Sequence, residues 1–217
     1  MRSLAAAAAT AALALAAPVV ASAATLTVDP VKRCYREQDT VFLTAQGYTP
    51  SGFVDFTRDG VLIERLQADA SGAISGNLTL RSLLSGQRLL TYVGTDVSNP
   101  SVTAQVSLLT TATDVRVRPV GGRPHRLMTI TGRGFFGGPT VWAHVVRLGR
   151  GARASAVRTV RIGRVRGACK KVKAKRRLFR PGAAPGRYRV QFDGFRRYRR
   201  IREIEYDALI VTIFRTS

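Results

Sequence analysis

The apolar positions follow two regimes. From Leu4 to Val20 the chain is apolar and alanine-rich, broken only by Thr10 and Pro18, with a single charge before it at Arg2 and Ala21-Ser22-Ala23 after it. One positive charge, a short apolar core and small residues at the −3 and −1 positions mark a secretory signal peptide, so residues 1–23 are expected to be removed. From there on the period is two. Val41-Phe42-Leu43-Thr44, Phe53-Val54-Asp55-Phe56 and Leu89-Leu90-Thr91-Tyr92-Val93 are rich in apolar and β-branched residues, and Gly, Pro, Asp and Ser punctuate the intervals. No stretch sustains the i, i+3, i+4, i+7 spacing of a helix. Short strands between turn signals predict an all-β sandwich or barrel, with Val41, Leu43, Val54 and Phe56 on an inner face.

The pattern is written twice. Leu26-Thr27-Val28-Asp29-Pro30-Val31 matches Val115-Arg116-Val117-Arg118-Pro119-Val120, and Val41 to Phe56 matches Met128 to Ala143, with Gly47-Tyr48 on Gly134-Phe135. Ala70-Ser71-Gly72-Ala73 matches Val165-Arg166-Gly167-Ala168, and Gly86 to Tyr92 matches Gly186 to Phe192. Four matches in one order predict a tandem duplication whose insertions fall in loops. The expected organisation is a signal peptide at 1–23, one domain at 24–111 and a second at 112–217.

Gly47-Tyr48-Thr49-Pro50-Ser51-Gly52, Asp59-Gly60, Ala68-Asp69-Ala70-Ser71-Gly72, Gly86 and Thr95-Asp96 resemble the turn-and-strand signature of bacterial immunoglobulin-like domains. Ile130-Thr131-Gly132-Arg133-Gly134-Phe135 is similar to the opening of IPT/TIG-type domains. The resemblance implies two tandem immunoglobulin-like β-sandwiches; such signatures speak for a fold and not an activity. It departs after Trp142, where an Arg-rich stretch replaces the compact turn at Asp59-Gly60 and leaves the inner strand pairing open. The implied topology also places the only two cysteines. Cys34 follows the first strand, at the pole of domain one that faces domain two. Cys169 precedes a strand at the pole of domain two that faces back. A Cys34–Cys169 bridge locking the domains is expected, the alternatives being two free thiols or an intermolecular bond.

Chemistry is sparse. Gly132-Arg133-Gly134-Phe135-Phe136-Gly137 has dinucleotide-loop spacing, but Gly138-Pro139-Thr140-Val141-Trp142 reads as a strand where that chemistry needs a helix N-terminus. His125 and His144 are the only histidines, and Asp193 could reach His144 only through the fold. No nucleophile, carboxylate pair or metal constellation stands out, so no catalytic residue, cofactor or metal is expected.

Charge changes the picture most. The chain of 217 residues has 35 Lys+Arg against 13 Asp+Glu, net +22. Residues 24–111 hold seven basic and eight acidic residues, whereas 112–217 hold 27 and five. Arginine dominates, as a GC-rich coding bias would produce, yet such a bias would act on both repeats. The asymmetry points to a polyanion partner. Three runs carry it. The first is Arg147, Arg150, Arg153 and Arg158; the second is Lys170, Lys171, Lys173 and Lys175 leading into Arg176, Arg177 and Arg180. The third, Phe195-Arg196-Arg197-Tyr198-Arg199-Arg200, interleaves rings that could stack on bases or sugars. The expectation is a secreted or cell-surface, non-enzymatic protein with no transmembrane segment in the mature chain, binding an anionic envelope or matrix polymer through Arg176, Arg177, Arg180 and residues 195–200. The alternatives are extracellular nucleic acid, or a protein partner in a surface assembly.

Overall fold

The computed structural model describes residues 23–81, 86–148, 156–199 and 206–214. The signal segment up to Ser22, the Arg150 and Arg153 stretch, and Arg200 lie outside the described residues. The strands in chain order are β1 (Thr25–Asp29), β2 (Tyr35–Arg36), β3 (Thr40–Gln46), β4 (Phe53–Arg58), β5 (Val61–Gln67), β6 (Ile74–Thr79), β7 (Gln87–Asp96) and β8 (Thr103–Thr111). They continue as β9 (Asp114–Arg118), β10 (Met128–Arg133), β11 (Thr140–Arg147), β12 (Ala156–Arg164), β13 (Val172–Arg176), β14 (Gly186–Asp193) and β15 (Tyr206–Ile213). Among the described residues there is no helix, as the period of two predicts.

Sheet β1-β3-β6 packs on sheet β2-β8-β7-β4-β5, and sheet β9-β10-β13 packs on sheet β12-β11-β14-β15. All strand pairings are antiparallel except that of the short edge strand β2, which runs parallel to β8; two sheets in this order make an immunoglobulin-like sandwich, and the chain holds two of them. Each has its own core. Val41, Leu43, Val54 and Phe56 lie in the first, as alternation predicts; Met128, Ile130, Val141, Ala143 and Phe192 lie in the second. The repeat shows in the joints too. Gly47 and Gly134 both have positive φ (89° and 78°), and each lies against the backbone just before its sandwich's first strand, where a Cβ would come within 3.1 Å of Ala24 Cα or 2.6 Å of Ala112 O. A side chain at either position would push the first strand away.

Two expectations from the sequence need adjustment. The β11–β12 pairing survives the long Arg-rich connection, with register shifts at Val141/Trp142 and Val145/Val146. The match of Tyr92 to Phe192 is two residues out of step. Phe56 lies opposite Gly94, while its counterpart Ala143 lies opposite Phe192, so the true offset there is 98. A slip of two keeps every side chain on its face, which is why the pattern alone could not detect it. The site is filled from opposite strands: a ring on β4 over a glycine in the first sandwich, an alanine on β11 under a ring in the second.

Ser75 and Lys173, opposite Thr44 and Thr131, are also 98 apart, three more than the turn motif suggests. The extra residues lie in the turn between β12 and β13. That turn carries Cys169, which is bonded to Cys34 (Cα–Cα 5.3 Å) in the connection between β1 and β2. The bridge joins the sandwiches, both sulfurs lie on buried residues, and Gly134 N–H donates to Cys169 O at 2.9 Å.

Candidate polyanion-binding surface

Alternation sets the charged surface. On β9 the inward residues are Val115 and Val117, so Asp114, Arg116 and Arg118 face outward; on β13 Val172 and Ala174 face in, and Lys173 and Lys175 face out. Between them runs β10, whose outward Thr131 lies opposite both Arg116 and Lys173, and whose Thr129 lies opposite both Arg118 and Lys175. Two strand spacings separate the arginine and lysine columns by about 10 Å, and two residues along a strand by about 7 Å. This is a flat grid of four cations with hydroxyl-bearing residues between them.

The grid continues into a cleft of about 730 Å³ at the β12–β13 side of the sandwich. Arg133, Arg164, Arg166, Lys171 and Arg176 join Arg116 and Lys173 along its walls, and Asp114 is the only carboxylate there among the described residues. That carboxylate lies 3.4 Å from Arg133 and 3.8 Å from Arg116, so it neutralises a small part of the charge. Cations held this close by backbone geometry repel one another, and an anion laid across them offsets the repulsion and displaces counterions.

The residues expected from the sequence divide between separate places, and among the described residues no hydrogen bond or ion pair links the two groups. Arg176 reaches from β13 toward β12, donating from Nε to Arg161 O (3.1 Å) and from Nη1 to Lys175 O (2.8 Å). Arg177 donates from Nε to His125 O at 3.1 Å, and Arg180 is exposed in the β13–β14 connection. Phe195 to Arg199 lie in the connection after β14, which folds over the outer face of its own sheet. Arg196 and Arg197 are exposed there, while Arg199 sits over the Phe195 ring (4.6 Å) and the Tyr198 hydroxyl accepts from Arg189 Nη2 at 2.9 Å. Both rings are half-buried, and the Tyr198 ring also meets the His144 ring at 5.7 Å.

A buried polar network holds this loop. His144 and Asp193 are both fully buried, and Gln191 nearly so. His144 Nδ1 meets Thr159 Oγ1 at 3.0 Å, and its Nε2 lies 3.0 Å from Phe195 O and 3.3 Å from Asp193 Oδ1. Asp193 accepts from Phe195 N–H (2.8 Å) and from Gln191 Nε2 (2.9 Å), and Gln191 also donates to Arg199 O. A hydroxyl, an imidazole and a carboxylate in a row resemble a nucleophilic triad. Thr159 is exposed, whereas the histidine and the carboxylate have no exposed surface and hold the loop backbone at Phe195, so the network positions the loop. No group of three or more His, Cys, Asp or Glu among the described residues could hold a metal ion.

The linear basic runs include Lys171, Lys173, Lys175 and Arg176 but not Arg116, Arg118, Arg133, Arg164 and Arg166. The signal was the alternation of Asp114-Val115-Arg116-Val117-Arg118, which places two arginines on one face.

No family model matches the chain, and no curated protein matches it significantly. Similar solved structures include the Yersinia pseudotuberculosis adhesin InvE (14% identity, 88% of this chain and 58% of that one, TM-score 0.33). Others are the human OSCAR ligand-binding domain (14%, 88% and 98%, TM-score 0.30) and the teleost fish polymeric Ig receptor ectodomain (13%, 88% and 96%, TM-score 0.32). The aligned region thus spans 58% of the adhesin's length. At these scores the likenesses carry nothing about function, and the fold class rests on the strand order above.

Proposed function

We propose that the chain is an exported, non-enzymatic protein built from two IPT/TIG-type modules, 24–111 and 112–217, that attaches to an anionic envelope or matrix polymer through the second. The observation that carries this reading is the cleft and sheet face of the second sandwich, where seven cations surround one carboxylate. The cations recur about every 7 Å along each strand, a regular array that suits a polymer with repeating charges. Export is supported by the N-terminal apolar run with its small-residue cleavage site and by a disulfide, which persists in oxidising compartments. Arg196 and Arg197 of the loop after β14, with Arg177 and Arg180, extend the positive surface as secondary contacts. The first sandwich serves as a spacer set at a fixed angle by Cys34–Cys169.

The test is co-sedimentation of the mature chain with envelope material across a salt series, with an acidic polysaccharide and duplex DNA as competitors at equal charge. The reading predicts retention that falls steeply with salt and is competed better by the polysaccharide. Stronger competition by DNA would make nucleic acid the partner instead. Retention that persists near 1 M salt would overturn both.

A protein-interaction reading is favoured by one further observation. Among the described residues β5 pairs only with β4, and Val61, Leu62 and Ile63 along it are 65%, 55% and 42% exposed. Such an open apolar edge accepts a strand from a partner. It predicts saturable binding to a protein with little salt dependence, lost when Leu62 is replaced by lysine.

A further inference from the structure

At the far pole of the second sandwich, away from the disulfide, β11, β12 and the β13–β14 connection line an open pocket of about 310 Å³. Its apolar wall is made by Val145, Leu178, Phe179 and Tyr188, all buried, with the Phe179 and Tyr188 rings edge to face at 5.1 Å. Tyr188 donates its hydroxyl to Ala184 O at 2.7 Å, so toward the pocket it counts as apolar surface. The other wall is cationic. Arg147, Arg158 and Arg180 line the pocket, and Arg158 Nη1 is fully buried with no hydrogen-bond partner among the described residues. No described carboxylate pairs with any of the three arginines.

A buried guanidinium N–H without an acceptor is costly, and arginine does not escape that cost by giving up its proton. Burial, and then the neighbouring Arg180, push the Arg158 pKa below its ordinary value, which registers the same lack of a counter-charge. A monovalent head accepting from both arginines would satisfy the orphaned donor and relieve their mutual repulsion. The volume admits a ligand of roughly ten non-hydrogen atoms.

We infer that this pocket is a binding site for a small amphiphilic anion, a carboxylate or phosphate head on a short acyl or alkyl body. The head lies between Arg158 and Arg180, and the body lies on Leu178, Phe179 and Tyr188. The site shares Arg180 with the secondary polymer contacts but none of the cations of the cleft or sheet face, so it is tested separately from the polymer reading.

Isothermal titration of the disulfide-intact mature chain with hexanoate, hexyl phosphate, acetate and 1-hexanol tests the inference. Hexanoate or hexyl phosphate is expected to bind saturably with a Kd of about 1 mM or tighter, and acetate and hexanol at least tenfold more weakly. R158Q should weaken the preferred probe about tenfold or more and R180Q about threefold, while R116Q on the opposite sheet leaves it unchanged. The inference is overturned if neither amphiphilic anion binds, if hexanol binds as well as they do, or if R158Q with an unaltered melting curve binds normally. Should R158Q fail to fold, the exposed Arg180 decides: an unchanged affinity in R180Q overturns the assignment.

Discussion

Asp193 is the position where the account of the loop is most exposed to test. Its carboxylate accepts from Phe195 N–H at 2.8 Å and from Gln191 Nε2 at 2.9 Å, with His144 Nε2 at 3.3 Å, and has no exposed surface. Asp193→Ala removes all three partners at once. Gln191 and His144 keep their contacts to Arg199 O and Phe195 O, so the Phe195 amide is the donor left without an acceptor. A buried hydrogen bond to a charged group is worth about 1.5–3 kcal/mol, and an orphaned donor adds a cost of similar size. Entropy regained by a freed loop offsets part of this, leaving a net loss of about 3 kcal/mol. With a urea slope near 2 kcal/mol/M, the midpoint should fall by about 1.5 M. Trp142 is the only tryptophan and lies directly opposite Asp193, so its fluorescence reports this sandwich. Asp193→Asn keeps one carbonyl for the Phe195 amide, and Gln191 can turn over to match it, so about 1 kcal/mol is expected. In the alanine variant trypsin should cut faster after Arg196, Arg197 and Arg199. A midpoint within about 0.2 M of wild type, with an unchanged tryptic pattern, would refute the claim that this network holds the loop.

Gly94→Ala should destabilise the first sandwich by about 2–4 kcal/mol, because the added carbon overlaps the Tyr48 hydroxyl and meets the Phe56 ring at 3.3 Å; denaturation followed by far-UV circular dichroism measures it, and the Trp142 transition should stay in place. Burial pushes the Asp96 carboxyl up, but the amides of Thr49, Ser98 and Asn99 outweigh it and hold its pKa below the ordinary value. Its stabilisation is therefore full above the unfolded pKa and lost as pH falls through the depressed one; melting curves from pH 6 to pH 2 should lose this acid-dependent component in Asp96→Asn. Replacing Cys34 and Cys169 by serine removes a crosslink across 135 residues, for which loop-closure entropy sets a ceiling of about 5 kcal/mol. Small-angle scattering should then show a broader range of angles between the sandwiches, with both sheet signatures intact.

Much of the architecture was legible because sandwich strands write their burial into alternate positions. Val41, Leu43, Val54 and Phe56 lie inward as read, and the pole to which each cysteine belongs followed from the topology that the immunoglobulin-like resemblance implied. The two-residue slip at Phe192 escaped because it preserves the face of every residue. The charged surface was half legible. Linear runs pointed to Lys173 and Arg176, but the grid exists only once β10 sets Arg116 opposite Thr131 and Thr131 opposite Lys173. The same limit hid the role of the loop after β14. His144 and Asp193 are 49 residues apart, and only strand pairing shows that the aromatic-arginine stretch is tied down over its own sheet.

The most direct measurement compares two mature variants that each lose four positive charges. One carries Arg116, Arg118, Lys173 and Lys175 changed to glutamine; the other carries Arg177, Arg180, Arg196 and Arg197 changed to glutamine. Both are sedimented with envelope material across the salt series. The account predicts that the first variant loses most retention at physiological salt and that its salt slope flattens by about the number of cations removed, while the second retains most of its binding. Equal losses in the two would mean that net charge alone is read, and undiminished retention in the first would contradict the assignment of the sheet face.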